Sequence, residues 1–178
     1  MESEKVYFSD RNWYNGVGGI MKVSKTNALR ILDQRKIKYE VHEYEFDEKS
    51  LEGHHGVKED NDENNRIYKT LVLKGQNEYI VFCLPITKEI DLKLLAKASG
   101  NKSVEMLPQK DLLNVTGYLR GGCSPIGMKK KFKTYFQQDV LDLESVKVSA
   151  GKRGLQVELN PKDLIQLTEG KVIDAIKK

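Results

Sequence analysis

Residues 67–85 read Ile67-Tyr68-Lys69-Thr70-Leu71-Val72-Leu73-Lys74-Gly75-Gln76-Asn77-Glu78-Tyr79-Ile80-Val81-Phe82-Cys83-Leu84-Pro85. Two runs rich in β-branched, aromatic and leucine residues flank a short polar segment with a glycine, the pattern of two strands joined by a hairpin turn. Upstream, Tyr39–Phe46 alternates like a third strand, and Ser24 or Thr26 can cap a helix carrying Ala28, Ile31, Leu32 and Arg35 on one face. Between them, Asp47–Arg66 is polar and acidic with Gly53 and Gly56, a loop holding at most one weak helix. Downstream, Asp91 caps a helix over Leu92–Ala98 that Gly100 ends, and a short helix follows Pro108. Strands are expected at Lys133–Phe136 and Val146–Ser149. Gly151-Lys152-Arg153-Gly154 then turns the chain into Leu155–Leu159, and Pro161 opens a last helix after Asn160. Strands outnumber helices and most are joined by short turns. That predicts one α+β domain on a curved mixed, largely antiparallel and barrel-like sheet flanked by helices.

With 178 residues and 39% hydrophobic content, the chain is long enough to bury a core without staples. No apolar stretch approaches the roughly 20 residues that span a bilayer, and the start lacks the basic-then-apolar pattern of a signal peptide. A cytoplasmic protein with no membrane partner is expected. Cys83 and Cys123 are too few for a disulfide framework. The net charge of +4 hides a division: ten acids face two lysines in residues 40–63, leaving that window at −8 and the remainder at +12. The basic remainder can face a polyanion, or the charge is simply an uneven solvated surface. Residues 1–20 hold the only tryptophan, Trp13, and the aperiodic Asn15-Gly16-Val17-Gly18-Gly19. They read as a disordered or non-native leader, with Met21 the expected working start and residues 21–178 the domain.

The most unusual stretch is Gly117-Tyr118-Leu119-Arg120-Gly121-Gly122-Cys123-Ser124-Pro125-Ile126-Gly127. Its glycines permit positive φ and close approach of a ligand to backbone amides, which such a loop can aim at a carbonyl oxygen or a phosphate. Lys129, Lys130, Lys131 and Lys133 follow at once. A tight turn before a solvated charge run gives the same pattern. Lys69 is the second anomaly, a lysine among apolar strand residues. It either serves a site or snorkels from a sheet edge. His54-His55 lacks partners at metal-ligand spacing, so no metal is expected. Cys123 lacks an activating base nearby in sequence, with His42 far off, and reads as a small residue in a packed loop. No phosphate-binding P-loop, nucleophile elbow or zinc-protease helix occurs, and no cofactor is implied.

Taken in order, Ile67-Tyr68-Lys69-Thr70-Leu71, then Thr116-Gly117-Tyr118-Leu119-Arg120-Gly121-Gly122-Cys123-Ser124-Pro125-Ile126-Gly127, then Val148-Ser149-Ala150-Gly151-Lys152-Arg153-Gly154-Leu155 resemble the YbaK/EbsC family. Its members are similar to the editing domain inserted in bacterial prolyl-tRNA synthetases. The resemblance runs from about Thr26 to the C-terminus, with Val104-Glu105-Met106 also fitting. It implies a curved mixed sheet flanked by helices and hydrolytic clearing of Cys-tRNA(Pro). It also implies that Lys69 is the central site lysine, with Tyr44, Thr70, Tyr118, Gly121, Ser124, Pro125 and Ser149 lining its pocket. On this reading the amides of Gly121 and Gly122 stabilise the developing oxyanion. Lys69 holds the 3′-terminal adenosine, and the substrate's own thiol attacks. The lysine run, with Lys152 and Arg153, would face tRNA, and prolyl-tRNA synthetase is a candidate partner. Two departures stand out: Gln156 where many members have aspartate, and Ala150 where they have a second glycine. These leave open a deacylase for another small amino acid, or a non-catalytic tRNA- or synthetase-binding module.

Overall fold

The computed structural model describes residues 25–46 and 59–178, together with the backbones of three short strands nearer the N-terminus. Those strands are β1 (Lys5–Ser9), β2 (Asn12–Tyr14) and β3 (Ile20–Met21). The segment expected to be a leader therefore supplies paired strands, and its other residues lie outside the described ones. Helix α1 (Asn27–Gln34) starts where Thr26 Oγ1 accepts from the Leu29 amide at 3.2 Å. It buries Ala28, Leu29 and Leu32 and leaves Arg35 exposed beyond its end. Strand β4 (Tyr39–Glu43) follows, and the weak helix of the acidic stretch is α2 (Asp62–Asn65). The hairpin read from sequence is β5 (Tyr68–Lys74) and β6 (Tyr79–Pro85), with Tyr68 facing Pro85 and Lys74 facing Tyr79.

Helix α3 (Leu92–Ser99) is capped by Asp91 and stopped by Gly100 at φ +73°, a conformation that favours glycine. After β7 (Glu105–Met106) and α4 (Leu112–Thr116), the glycine-rich loop leads to β8 (Lys133–Gln137). Then come β9 (Val146–Lys152), β10 (Leu155–Leu159), α5 (Pro161–Thr168) and a closing strand, β11 (Lys171–Ile173), which the sequence reading did not place.

Two sheets result. One is antiparallel, in the order β3-β2-β1-β4-β10-β9; the other, β11-β8-β6-β5-β7, is mixed because β8 runs parallel to β6 and β11. They meet at a parallel bridge between Ile67 and Lys147, where the Lys147 amide donates to the Arg66 carbonyl at 2.9 Å. Among the described residues the sheet curves through this seam without closing into a barrel. One apolar cluster lies under α1 and α5 and contains Val41, Phe136, Val146, Val148, Ala150, Val157 and Leu164. A second packs Leu73, Ile80, Phe82 and Leu84 against Leu95 and Ala96 of α3. Phe82 and Phe136 are fully buried. Truncating either to alanine costs ~3–5 kcal/mol by the usual large-to-small scale.

Candidate functional site

Alternation along the strands decides which side chains can meet. Val41, Val146, Val148, Ala150, Leu155, Val157 and Leu159 all enter the first core cluster. Their strand neighbours Glu40, His42, Lys147, Ser149, Gln156 and Glu158 therefore share the opposite face. Register turns this face into rows: His42 pairs with Gln156 and Gln156 with Ser149, while Glu40 pairs with Glu158 and Glu158 with Lys147. The seam continues both rows into the second sheet. Ile67 bridges Lys147 in parallel, so Lys69 lies two residues on, alongside Ser149. His42, Gln156 and Ser149 thus form one row across three paired strands, roughly 10 Å long at ~4.8 Å per strand, and Lys69 of β5 follows on the same face across the seam. Lys69 is half-buried opposite Leu84. Thr70, expected beside it, turns to the other face, where its Oγ1 lies 3.7 Å from the Cys83 thiol.

The glycine-rich loop closes one end of this face. Tyr44, two residues beyond His42, donates its hydroxyl to the Gly121 carbonyl at 3.4 Å, and its amide donates to the Gly154 carbonyl at 2.9 Å. Gly121 has φ +85°, and a Cβ there would lie 2.6 Å from Phe46 Cζ. A Cβ on Gly122 would meet the Arg153 amide nitrogen at 3.0 Å. Only glycines let the loop lie so flat on Phe46 and on the β9–β10 turn. Arg153 fastens the contact from outside: its Nε donates to the Arg120 carbonyl at 2.8 Å, and its guanidinium stands 5.4 Å from the Phe46 ring centroid.

Inside the loop several expected ligand groups are internal braces. Tyr118 donates its hydroxyl to the Ile126 carbonyl, at 2.5 Å, and its ring covers Gly151. Ser124 is fully buried, accepts from the Ile126 amide at 3.2 Å and precedes the buried Pro125. The Gly122 amide closes a turn onto the Leu119 carbonyl at 3.0 Å. It is therefore spent, and the loop amides left without a hydrogen bond to the described residues include those of Gly121 and Cys123. Ser149 Oγ accepts from the Gly151 amide at 3.1 Å. Burial pushes the Cys123 thiol up to about 12, against a smaller opposing effect of its hydrogen bond with Thr116. A thiol held protonated in this way is a poor nucleophile.

The second row is a charged brace. Arg66 donates to Glu158 at 2.7 Å and to Ser145 at 2.8 Å, and the buried Lys147 donates to Glu63 at 2.8 Å. His42, 1% exposed, sets Nε2 3.2 Å from Glu158 and leaves Nδ1 without a partner among the described residues. Burial lowers the His42 pKa, the Lys147 charge lowers it further, and Glu158 and Glu40 oppose the shift. Glu40, His42 and Glu158 bring potential metal-ligand atoms within 4.8 Å of one another. Arg66 and Lys147 already supply positive charge there, so ion pairs account for the cluster. Gln156, between His42 and Ser149, is 7% exposed, and its amide makes no hydrogen bond with the described residues.

The sequence reading did not place His42 here, although the alternation along Tyr39–Phe46 puts it on the same face as Tyr44, which the family resemblance had named. It also missed Phe46 as the platform under Gly121; nothing in the local sequence marks that long-range contact. His54 and His55 lie outside the described residues. Of the expected basic residues, Lys129 packs its stem over Gly117, Lys131 pairs with Glu169, and Lys133 pairs with Glu78 at 3.2 Å. Lys130 and Lys152 are exposed.

A lysine and a hydroxyl on one face, with a glycine loop carrying spare amides held against Tyr44 at its edge, are groups of the kind that hold an ester carbonyl and its leaving group. The model of the aminoacyl-tRNA editing domain matches residues 54–167. The chain is 46% identical over 155 residues, 86% of its length and 94% of the relative's, to an Enterococcus faecalis protein named as a Cys-tRNA(Pro)/Cys-tRNA(Cys) deacylase, EbsC. It is 29% identical over 90 residues, 51% of this chain and 16% of the relative, to the proline–tRNA ligase of Staphylococcus aureus. A crystal structure described as a trans-editing enzyme for prolyl-tRNA synthetase superposes with a TM-score of 0.71 at 22% identity, covering 88% of this chain and all of that one. The chain belongs to the aminoacyl-tRNA editing domain family.

Proposed function

We propose that this chain is an aminoacyl-tRNA deacylase acting in trans on cysteine wrongly attached to tRNA(Pro), and that Lys69, Ser149 and the Gly121 loop form its reaction site. The observation that carries this reading is the row His42–Gln156–Ser149 with Lys69 on the same face across the seam, and the Gly121 loop held against Tyr44 at its edge. The relative that covers most of the chain is named for the same substrate, and the likeness to part of a proline–tRNA ligase points to that synthetase as the source of the error. The work belongs where tRNA is charged, in the cytoplasm.

The residues present suit a reaction without a protein nucleophile. The 3′-terminal adenosine sits by Lys69, whose ammonium holds the ribose or phosphate. The ester carbonyl oxygen turns toward the spare amides of Gly121 and Cys123, which stabilise the negative charge that develops there. The substrate thiol bonds to the carbonyl carbon, the bond from that carbon to the ribose oxygen breaks, and the ribose oxygen takes up the proton. A thiolactone of cysteine leaves, and water opens it. Positioning and polarisation supply the acceleration. A panel of tRNA(Pro) charged with cysteine, serine, alanine or proline tests the reading. Rapid loss of cysteine alone supports it; serine loss at a similar rate removes the substrate-thiol step. Tight binding without turnover of any ester leaves a binding module.

A further inference from the structure

We propose that the cleft between the C-terminal end of α1 and the lysine run is the track for the phosphate backbone of the tRNA acceptor stem. This rests on the deacylase reading and adds to it the route by which the nucleic acid reaches the pocket. The cleft is two adjoining hollows of about 250 and 470 Å³ that share Arg35 and Leu167. The first is walled by Pro125–Met128, part of the same loop that carries Gly121, and by Lys130 and Lys131. The second continues past Arg35 to Lys36 and Lys38. Asn27 ties the start of α1 to the loop by donating to the Gly127 carbonyl at 3.0 Å. The eight residues of α1 then carry the surface ~12 Å outward. That is roughly three to four nucleotides of a helical stem.

The charge fits this occupant. Arg35, Lys36, Lys38 and Lys130 are exposed, while acids enter through Asp163 in the second hollow and Glu169, which pairs with Lys131. An independent observation concerns Lys36. It has φ +56° just past the helix end, where glycine or asparagine is usual and other residues are strained. A lysine occupies a position whose backbone disfavours it. Its side chain lines the cleft. A purely structural account is that Arg35 and Lys36 complement the negative end of the α1 dipole. That account predicts an effect on stability and none on substrate affinity.

The test is the triple variant Arg35→Gln, Lys36→Gln, Lys38→Gln. Deacylation kinetics are measured on full-length Cys-tRNA(Pro) and on the cysteinyl ester of a CCA trinucleotide, which has no stem, across 50–200 mM salt. The track predicts that KM for the full tRNA rises about 10-fold at low salt and that the slope of log KM against log salt falls by roughly two to three. It predicts unchanged kcat and unchanged kinetics on the trinucleotide. Equal KM values for the full tRNA in variant and wild type overturn the track, as does an equal loss on both substrates. Failure of the wild type to cleave either ester is a separate result and defeats the deacylase reading instead.

Discussion

Replacing Gly121 with alanine tests the loop at its tightest point. The residue sits at φ +85°, where a side chain costs ~1–2 kcal/mol, and the new Cβ would stand 2.6 and 2.7 Å from two Phe46 ring atoms. The ring must withdraw toward ordinary contact distance, and moving it disturbs the Arg153 guanidinium 5.4 Å from its centroid, a further ~0.5–1 kcal/mol. The sum, roughly 1.5–3 kcal/mol, corresponds to a Tm lower by about 3–12 °C in a chain of this size. Displacing one oxyanion donor also lowers kcat about 10²–10³-fold at a temperature where the variant is folded. Gly100→Ala is the control: its φ is +73° but nothing lies within 4 Å of the new Cβ. It should lose the conformational part of the stability and no activity. Calorimetry and single-turnover deacylation read the two effects. If Gly121→Ala keeps full kcat despite a lower Tm, the loop is scaffold rather than oxyanion site. If neither changes, the steric account is wrong.

Cys123→Ala should retain most of its activity, because burial holds this thiol up to about 12 and the substrate brings its own; an inactive but folded variant means a covalent acyl-enzyme after all. Gln156→Leu removes an amide that has no partner among the described residues, so Tm should hold or rise while KM for Cys-tRNA(Pro) increases about 10-fold; unchanged KM removes Gln156 from the pocket. The His42 pKa lies below 6.5 in the folded protein, chiefly through burial. The unfolded chain therefore binds more protons just below pH 6.5, and stability present above that value is lost as pH falls toward the native pKa. Chemical denaturation from pH 7.5 down to 5 should show this loss, and His42→Gln should reduce it; an identical slope in the variant assigns it to other groups.

Much of the fold was legible because local chemistry and tertiary structure agree. The 67–85 hairpin, the Asp91 and Thr26 caps, the Gly100 stop and the Pro161 start each depend on a few neighbouring residues. What escaped depends on pairing between distant segments. Strands β1–β3 come from a glycine-containing stretch without clear periodicity, and β11 is only three residues long. In the candidate site, Lys69 and the Gly121 loop stand out by residue pattern, and the family resemblance adds Ser149. Register then assembles them, and it moves Thr70 to the other face while bringing in His42. The Gly122 amide could not be judged from sequence, since its donation to the Leu119 carbonyl depends on how the loop folds.

The central claim is that Lys69 and the Gly121 loop act on a cysteinyl ester of tRNA. The direct measurement is the first-order loss of radiolabelled cysteine from Cys-tRNA(Pro), with purified wild type and with Lys69→Ala compared at equal thermal stability. The account predicts rapid loss with the wild type and a rate near the uncatalysed background with the variant. Turnover of the Lys69→Ala protein at the wild-type rate would contradict it.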